Sequence, residues 1–148
     1  AITLLGTSGV QAQDAEERAV IAAAQAVFDA MEALDPEAFR NSIVPDGFLM
    51  SVGVERTRRT TRDDFAANIA NRTSPMIERM WDPEVRIDGP VATVWAPYDF
   101  YSATEFSHCG IDVATLMRRD DGWKIINLNW TREAPPNCAL HPDGPPSA

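Results

Sequence analysis

The chain has 148 residues, 45% of them apolar, which suits one domain with a real core and excludes global disorder. Its 22 acidic and 13 basic residues leave a net charge of −9. That balance excludes the basic stripe of a nucleic-acid binder and disfavours an anionic membrane surface.

The opening, AITLLGTSGVQAQD, is apolar and ends in the small-x-small run Val10-Gln11-Ala12. It resembles the end of a secretory signal peptide with cleavage after Ala12, so export to the periplasm or beyond is expected. No other apolar run is long enough to span a bilayer, and no membrane insertion of the mature chain is expected. In an oxidising compartment Cys109 and Cys138 are expected to form one disulfide. Closing a loop of about 30 residues would contribute about 3–4 kcal/mol in the chain-entropy model.

Asp14, with Glu17 three residues on, reads as the N-cap of a helix running to about Leu34. Ile21, Ala24, Phe28, Met31 and Leu34 make its apolar stripe. Asp35-Pro36 starts a second, short helix carrying Phe39 and Ile43, and Pro45-Asp46-Gly47 reads as the turn that ends it. Residues 48–54 read as a strand and 56–62 as a charged link. Thr61 caps a third helix to about Asn71, with Asp64 at its N3 position. Four strands follow, at 76–88, 91–102, 106–118 and 123–132, joined at Asp88-Gly89-Pro90, Ala103-Thr104 and Asp120-Asp121-Gly122. The tail, 134–148, is rich in proline and expected to be irregular. Helices first and a meander of long strands afterwards make an α+β domain over 13–133. The helices should pack in the concave face of a curved, mainly antiparallel sheet.

Alternation assigns the faces of the two central strands. With the turn centred on Ala103-Thr104, Tyr101 lies opposite Phe106, Asp99 opposite His108 and Trp95 opposite Asp112, all on one face. Tyr98, Phe100, Cys109, Ile111 and Val113 take the other. A one-residue slip would break this assignment.

The order helix, short helix, strand, helix, then long strands ending in RRDDGWKIINLNWTRE resembles the nuclear-transport-factor-2-like (NTF2-like) superfamily. That superfamily includes SnoaL-like polyketide cyclases, ketosteroid isomerase and scytalone dehydratase. DGPVATVWAPYDFY and HCG look most like its small bacterial lumazine-binding or SnoaL-like branch. The resemblance covers residues 14–133. It implies a cone-shaped barrel whose bent sheet wraps the long helix, a cavity at one mouth, and dimers through the sheet's outer face. It does not imply one reaction.

Cross-strand neighbours sit ~4.5–5.5 Å apart at Cβ, so Asp99 and His108 are candidates for a carboxylate–imidazole pair. Such a pair would raise the imidazole pKa toward physiological pH and suit a general acid or base. Asp112, about 13 Å from His108 along the strand, would line the same cavity. Trp81, Trp95, Tyr101, Phe106 and Trp130 would line an apolar pocket, or serve as plain core. Asn127 and Asn129 would offer amides to a ligand if their face points inward. His108 and Cys109 point to opposite faces and cannot easily share a metal. Phosphate loops and serine-nucleophile motifs are absent, and no cofactor is expected. The expected protein is an exported homodimer binding a small apolar organic molecule. One alternative is a cofactor-free isomerase, dehydratase or cyclase using Asp99–His108. Another is a structural or accessory dimer whose cavity is filled by its own aromatics.

Overall fold

The computed structural model describes residues 7–147; the first six residues of the leader-like segment and Ala148 lie outside them. Helix α1 spans Thr7–Glu32. Asp14 is therefore inside the helix and not its cap. Val10, Gln11, Ala12 and Gln13 contain no proline and tolerate helix, so nothing forces a start at Asp14. Val20, Ala24, Val27, Phe28 and Met31 form the buried stripe, while Ile21 is only half-buried. Helix α2, Pro36–Ser42, is capped by Asp35, whose Oδ1 accepts from the Glu37 and Ala38 amides at 3.0 and 2.9 Å.

Strand β1, Ile43–Val52, begins before the expected turn and absorbs Pro45-Asp46-Gly47 as an irregularity between Ile43 and Phe48. The expected charged link holds a strand, β2 (Thr57–Thr61), antiparallel to β1. Its threonines favour extended backbone, and Arg58 and Arg59 are the kind of charges that protect a sheet edge. Helix α3, Arg62–Ala70, starts as expected: the Asp64 amide donates to Thr61 Oγ1 at 3.1 Å, and that hydroxyl donates back to Asp64 Oδ2 at 2.8 Å. The expected strand 76–88 is two, β3 (Met76–Met80) and β4 (Glu84–Asp88), broken where Asp82 takes a positive φ of 43° before Pro83. β5 (Val91–Ser102), β6 (Glu105–Arg119) and β7 (Gly122–Thr131) complete a sheet of order β2-β1-β7-β6-β5-β3, with β4 also on β5. Only the β1–β7 pair is parallel among the described strands. α1 packs on β3, β4, β5 and β7 from the concave side. Its Val27, Phe28 and Met31 join Phe39, Leu49, Ile69, Leu116, Ile125 and Leu128 in one core.

One residue decides which side chains face that core. The β5–β6 turn is as expected: Ser102 pairs with Glu105 and Tyr101 with Phe106. Next, however, Phe100 pairs with His108, leaving Ser107 as an extra residue. Beyond this bulge Asp99 pairs with Cys109, Tyr98 with Gly110, Ala96 with Asp112 and Trp95 with Val113. A single inserted residue exchanges faces for everything that follows. Phe100, Tyr98, Ala96, His108 and Asp112 thus share the concave face. Asp99, Trp95, Cys109 and Val113 share the convex one.

The tail is irregular in backbone but fixed in place on the convex side. Glu133 and Cys109 exchange backbone bonds of 3.0 and 2.8 Å. Cys138 meets Cys109 as a disulfide partner, with Cα atoms 5.7 Å apart. The His141 amide donates to Asp99 Oδ2 at 2.9 Å, and Arg79 Nη1 donates to the Gly144 carbonyl at 2.7 Å.

Candidate functional site

At one end of the sheet, the start of β3, the end of β5, the start of β6 and the end of β7 come together with the C-terminus of α3. They frame a cavity of about 320 Å³. Met31, Leu49, Phe65, Met76, Phe100, Leu128 and Trp130 form its apolar wall. Its polar lining is Glu78, His108, Ser102, Ser107, Arg72 and Arg132.

Among the described residues Glu78 is the only acid on this wall. Alternation along β3 puts Met76, Glu78 and Met80 on one face, with Glu78 opposite Phe100. It keeps partial exposure through the cavity, although protein atoms crowd its carboxyl. Burial pushes its pKa up to about 7; a hydrogen bond with Asp112 opposes the shift and the Asp99 charge adds to it. Asp112 lies behind it, 3% exposed, and burial followed by the nearby Glu78 charge holds its carboxyl well above the usual range. Apart from this carboxyl–carboxyl contact, no donor reaches either Asp112 oxygen. Such a pair is satisfied only if one member keeps a proton to donate. Glu78 is therefore a carboxyl whose ionisation burial moves toward neutrality, beside a second buried carboxyl whose pKa is raised as well.

The Tyr98 hydroxyl donates to the Thr131 carbonyl at 2.6 Å; burial, then Glu78 and Asp112, push its pKa up and keep it neutral. Gly110, its cross-strand partner, permits the close approach of β7, since a Cβ there would lie 2.5 Å from the Thr131 oxygen. His108, 7% exposed, stacks on Phe100 with centroids 4.8 Å apart, and Ser107 Oγ lies 2.9 Å from its Nδ1. Burial and then the Arg132 charge press its pKa down to about 4. The imidazole is neutral at physiological pH, the reverse of the expected shift, because no carboxylate faces it.

The expected Asp99–His108 pair does not form. Asp99 is fully buried on the convex side, where Arg79 grips it bidentately at 2.9 and 2.6 Å beneath the tail. Its role there is structural. Of the other expected ligand contacts, Asp112 sits behind Glu78 without lining the cavity, and Trp130 alone is on the wall. Trp81 packs edge-on against His141 of the tail, with centroids 5.3 Å apart. Trp95 is 51% exposed beside a shallow convex groove. Tyr101 and Phe106 pack edge to face on each other, with centroids 5.5 Å apart, and line no part of the cavity. Asn129 donates to Asn127 at 3.2 Å, and neither lines the cavity; Asn129 borders the convex groove. The same inversion accounts for the misplaced β5 residues. Trp130 is placed as expected, on the wall. Glu78, Phe100 and Arg132 were not expected there, although an acid between Met76 and Met80 on one strand face was a readable signal.

The curved sheet, the enclosed helix and the cavity at one mouth define an NTF2-like cone. The chain belongs to the family described as "Putative lumazine-binding", whose model matches residues 15–131. No curated protein matches it. Among solved structures it is similar to an NTF2-like protein with a cystatin-like fold from Novosphingobium aromaticivorans, with 16% identity over 88% of this chain and 90% of that one and a TM-score of 0.71. A "putative dehydratase" of the NTF2-like family from Streptomyces avermitilis matches with 18% identity over 81% and 97% and a TM-score of 0.67. A "putative scytalone dehydratase" from Novosphingobium aromaticivorans matches with 15% identity over 82% and 86% and a TM-score of 0.66. At these identities the likeness is one of fold.

Proposed function

We propose that the cavity binds a small organic molecule and that Glu78 exchanges a proton with it, without a cofactor. The observation that carries this reading is the acid at the cavity wall with a pKa pushed to about 7, backed by Asp112, whose carboxyl burial also pushes up. The neutral Tyr98 and His108 are suited to hydrogen-bonding and packing, and Glu78 to the base role first expected of Asp99–His108. The dehydratase names carried by two structures of the same fold are consistent with such chemistry. A cavity of about 320 Å³ accommodates a one- or two-ring compound.

We also infer export as an oxidised homodimer. The small-x-small run before residue 13 and the meeting of Cys109 with Cys138 support export. The convex groove of Val52, Trp95, Ile111 and Val113 supports self-association.

The base role can be tested with 5-nitrobenzisoxazole. A carboxylate removes its C3 proton, the N–O bond breaks, and a cyanophenolate is released. The protein should accelerate this elimination, with kcat/KM rising with pH about a midpoint near 7, and Glu78→Gln should abolish it. Turnover unchanged in Glu78→Gln would contradict the role.

A further inference from the structure

The arginines at the mouth of the cavity have no acids to answer them. Arg72 and Arg132 both line it. Arg72 donates to Ser102 Oγ at 3.0 Å, and Arg132 reaches Ser107 Oγ at 3.5 Å. The two guanidiniums thus flank the end of the β5–β6 hairpin, each resting on a serine. A cleft sharing Phe65, Trp130 and Arg132 with the cavity adds Arg58, and another sharing Arg72 and Ser102 adds no charge. Among the described residues none of Arg58, Arg72 and Arg132 has a carboxylate within 4.0 Å. The cavity and both clefts hold one acid in all, Glu78, and it is uncharged for much of the time at neutral pH. This is a local positive rim on a chain of net charge −9.

We propose that the ligand is an anionic ring compound, its apolar body inside against Phe65, Phe100 and Trp130 and its carboxylate at the rim on Arg72 and Arg132. The proposal rests on the cavity being a binding site and adds the class of molecule it selects. The physical grounds are two. A planar guanidinium binds a carboxylate through paired, charge-assisted hydrogen bonds, and a serine hydroxyl beside each can add another. The net charge of −9 repels an oxyanion from the protein as a whole, so a local positive rim steers it to the mouth.

The test compares 2-naphthoate with 2-acetylnaphthalene, which has the same ring and nearly the same shape but a ketone in place of the carboxylate. Titration calorimetry at low ionic strength should find the naphthoate at least about tenfold tighter. The preference should shrink at about 0.5 M salt. In Arg72→Gln/Arg132→Gln, two exposed positions, the ratio of the two affinities should fall to about one. Equal affinity for the two compounds in the wild-type protein would overturn the anion proposal and leave the binding cavity standing. A preference that survives the double substitution would place the anion elsewhere and also overturn it. Binding of neither compound would overturn both the proposal and the cavity reading beneath it.

Discussion

Glu78 owes its chemistry to its company. A glutamate in water ionises near 4.5, yet this one, surrounded by protein and set against a second carboxyl, is held to about 7. Both members of the pair bind protons more tightly in the folded than in the unfolded state. The stability that Glu78 contributes is full below about pH 4.5 and is lost as pH rises through about 7; that of Asp112 is lost in the same direction. His108 works in the opposite sense: its pKa is about 4 folded against 6.5 in the free side chain, so its contribution is lost as pH falls from 6.5 toward 4. Between pH 6.5 and 8.5 the carboxyl pair acts alone among these groups. Thermal melts should show the wild-type Tm falling across that window, and Glu78→Gln should flatten the slope. A wild-type Tm that rises there would contradict the protonated pair. His108 and Asp112 were legible because an imidazole and a buried acid stand out on long apolar strands. Glu78 was passed over because MIERM also carries an arginine and reads as a mixed, half-exposed strand.

The long strands, their turns and two helix caps were readable, since period-two alternation and capping chemistry are local signals. The β-bulge was not. Ser107 sits between Phe106 and His108 in a run that alternates acceptably in either register, and that pattern does not choose between them. That one residue moved Asp99 from the cavity to the outer face, where it serves the elements in a different way. Arg79 on β3 and Asp99 on β5 are directly opposite, and the tail closes over both. Asp99 is fully buried, so removing its cation leaves an uncompensated carboxylate. Arg79→Met should lower the free energy of unfolding in urea by about 3–5 kcal/mol. A loss below about 1 kcal/mol, the scale of an exposed pair, would contradict the clamp.

Across the whole molecule the two sheet faces divide the work. The concave face and α1 build the cavity; the convex face carries the tail, the Cys109–Cys138 contact and the apolar groove around Trp95 and Val113. Sequence alone placed the layers well because helix-first order and strand length are global features that survive a local slip. It also put Val113 on the outer face. Native mass spectrometry of unreduced protein should give a dimer without free thiols, and Val113→Glu should give a monomer of the same fold. A monomeric wild-type protein, or alkylatable cysteines, would contradict this outer-face assignment of roles.

The pH at which Glu78 ionises is the property on which both the base role and the buried carboxyl pair depend. Selective ¹³C labelling of glutamate carboxyls, with Glu78→Gln to assign the resonance, allows that titration to be followed alone. The structure predicts a midpoint near pH 7 in the wild-type protein and a higher one in Asp112→Leu, which removes the hydrogen bond that opposes the shift. A midpoint near 4.5, unmoved by the substitution, would contradict the central claim.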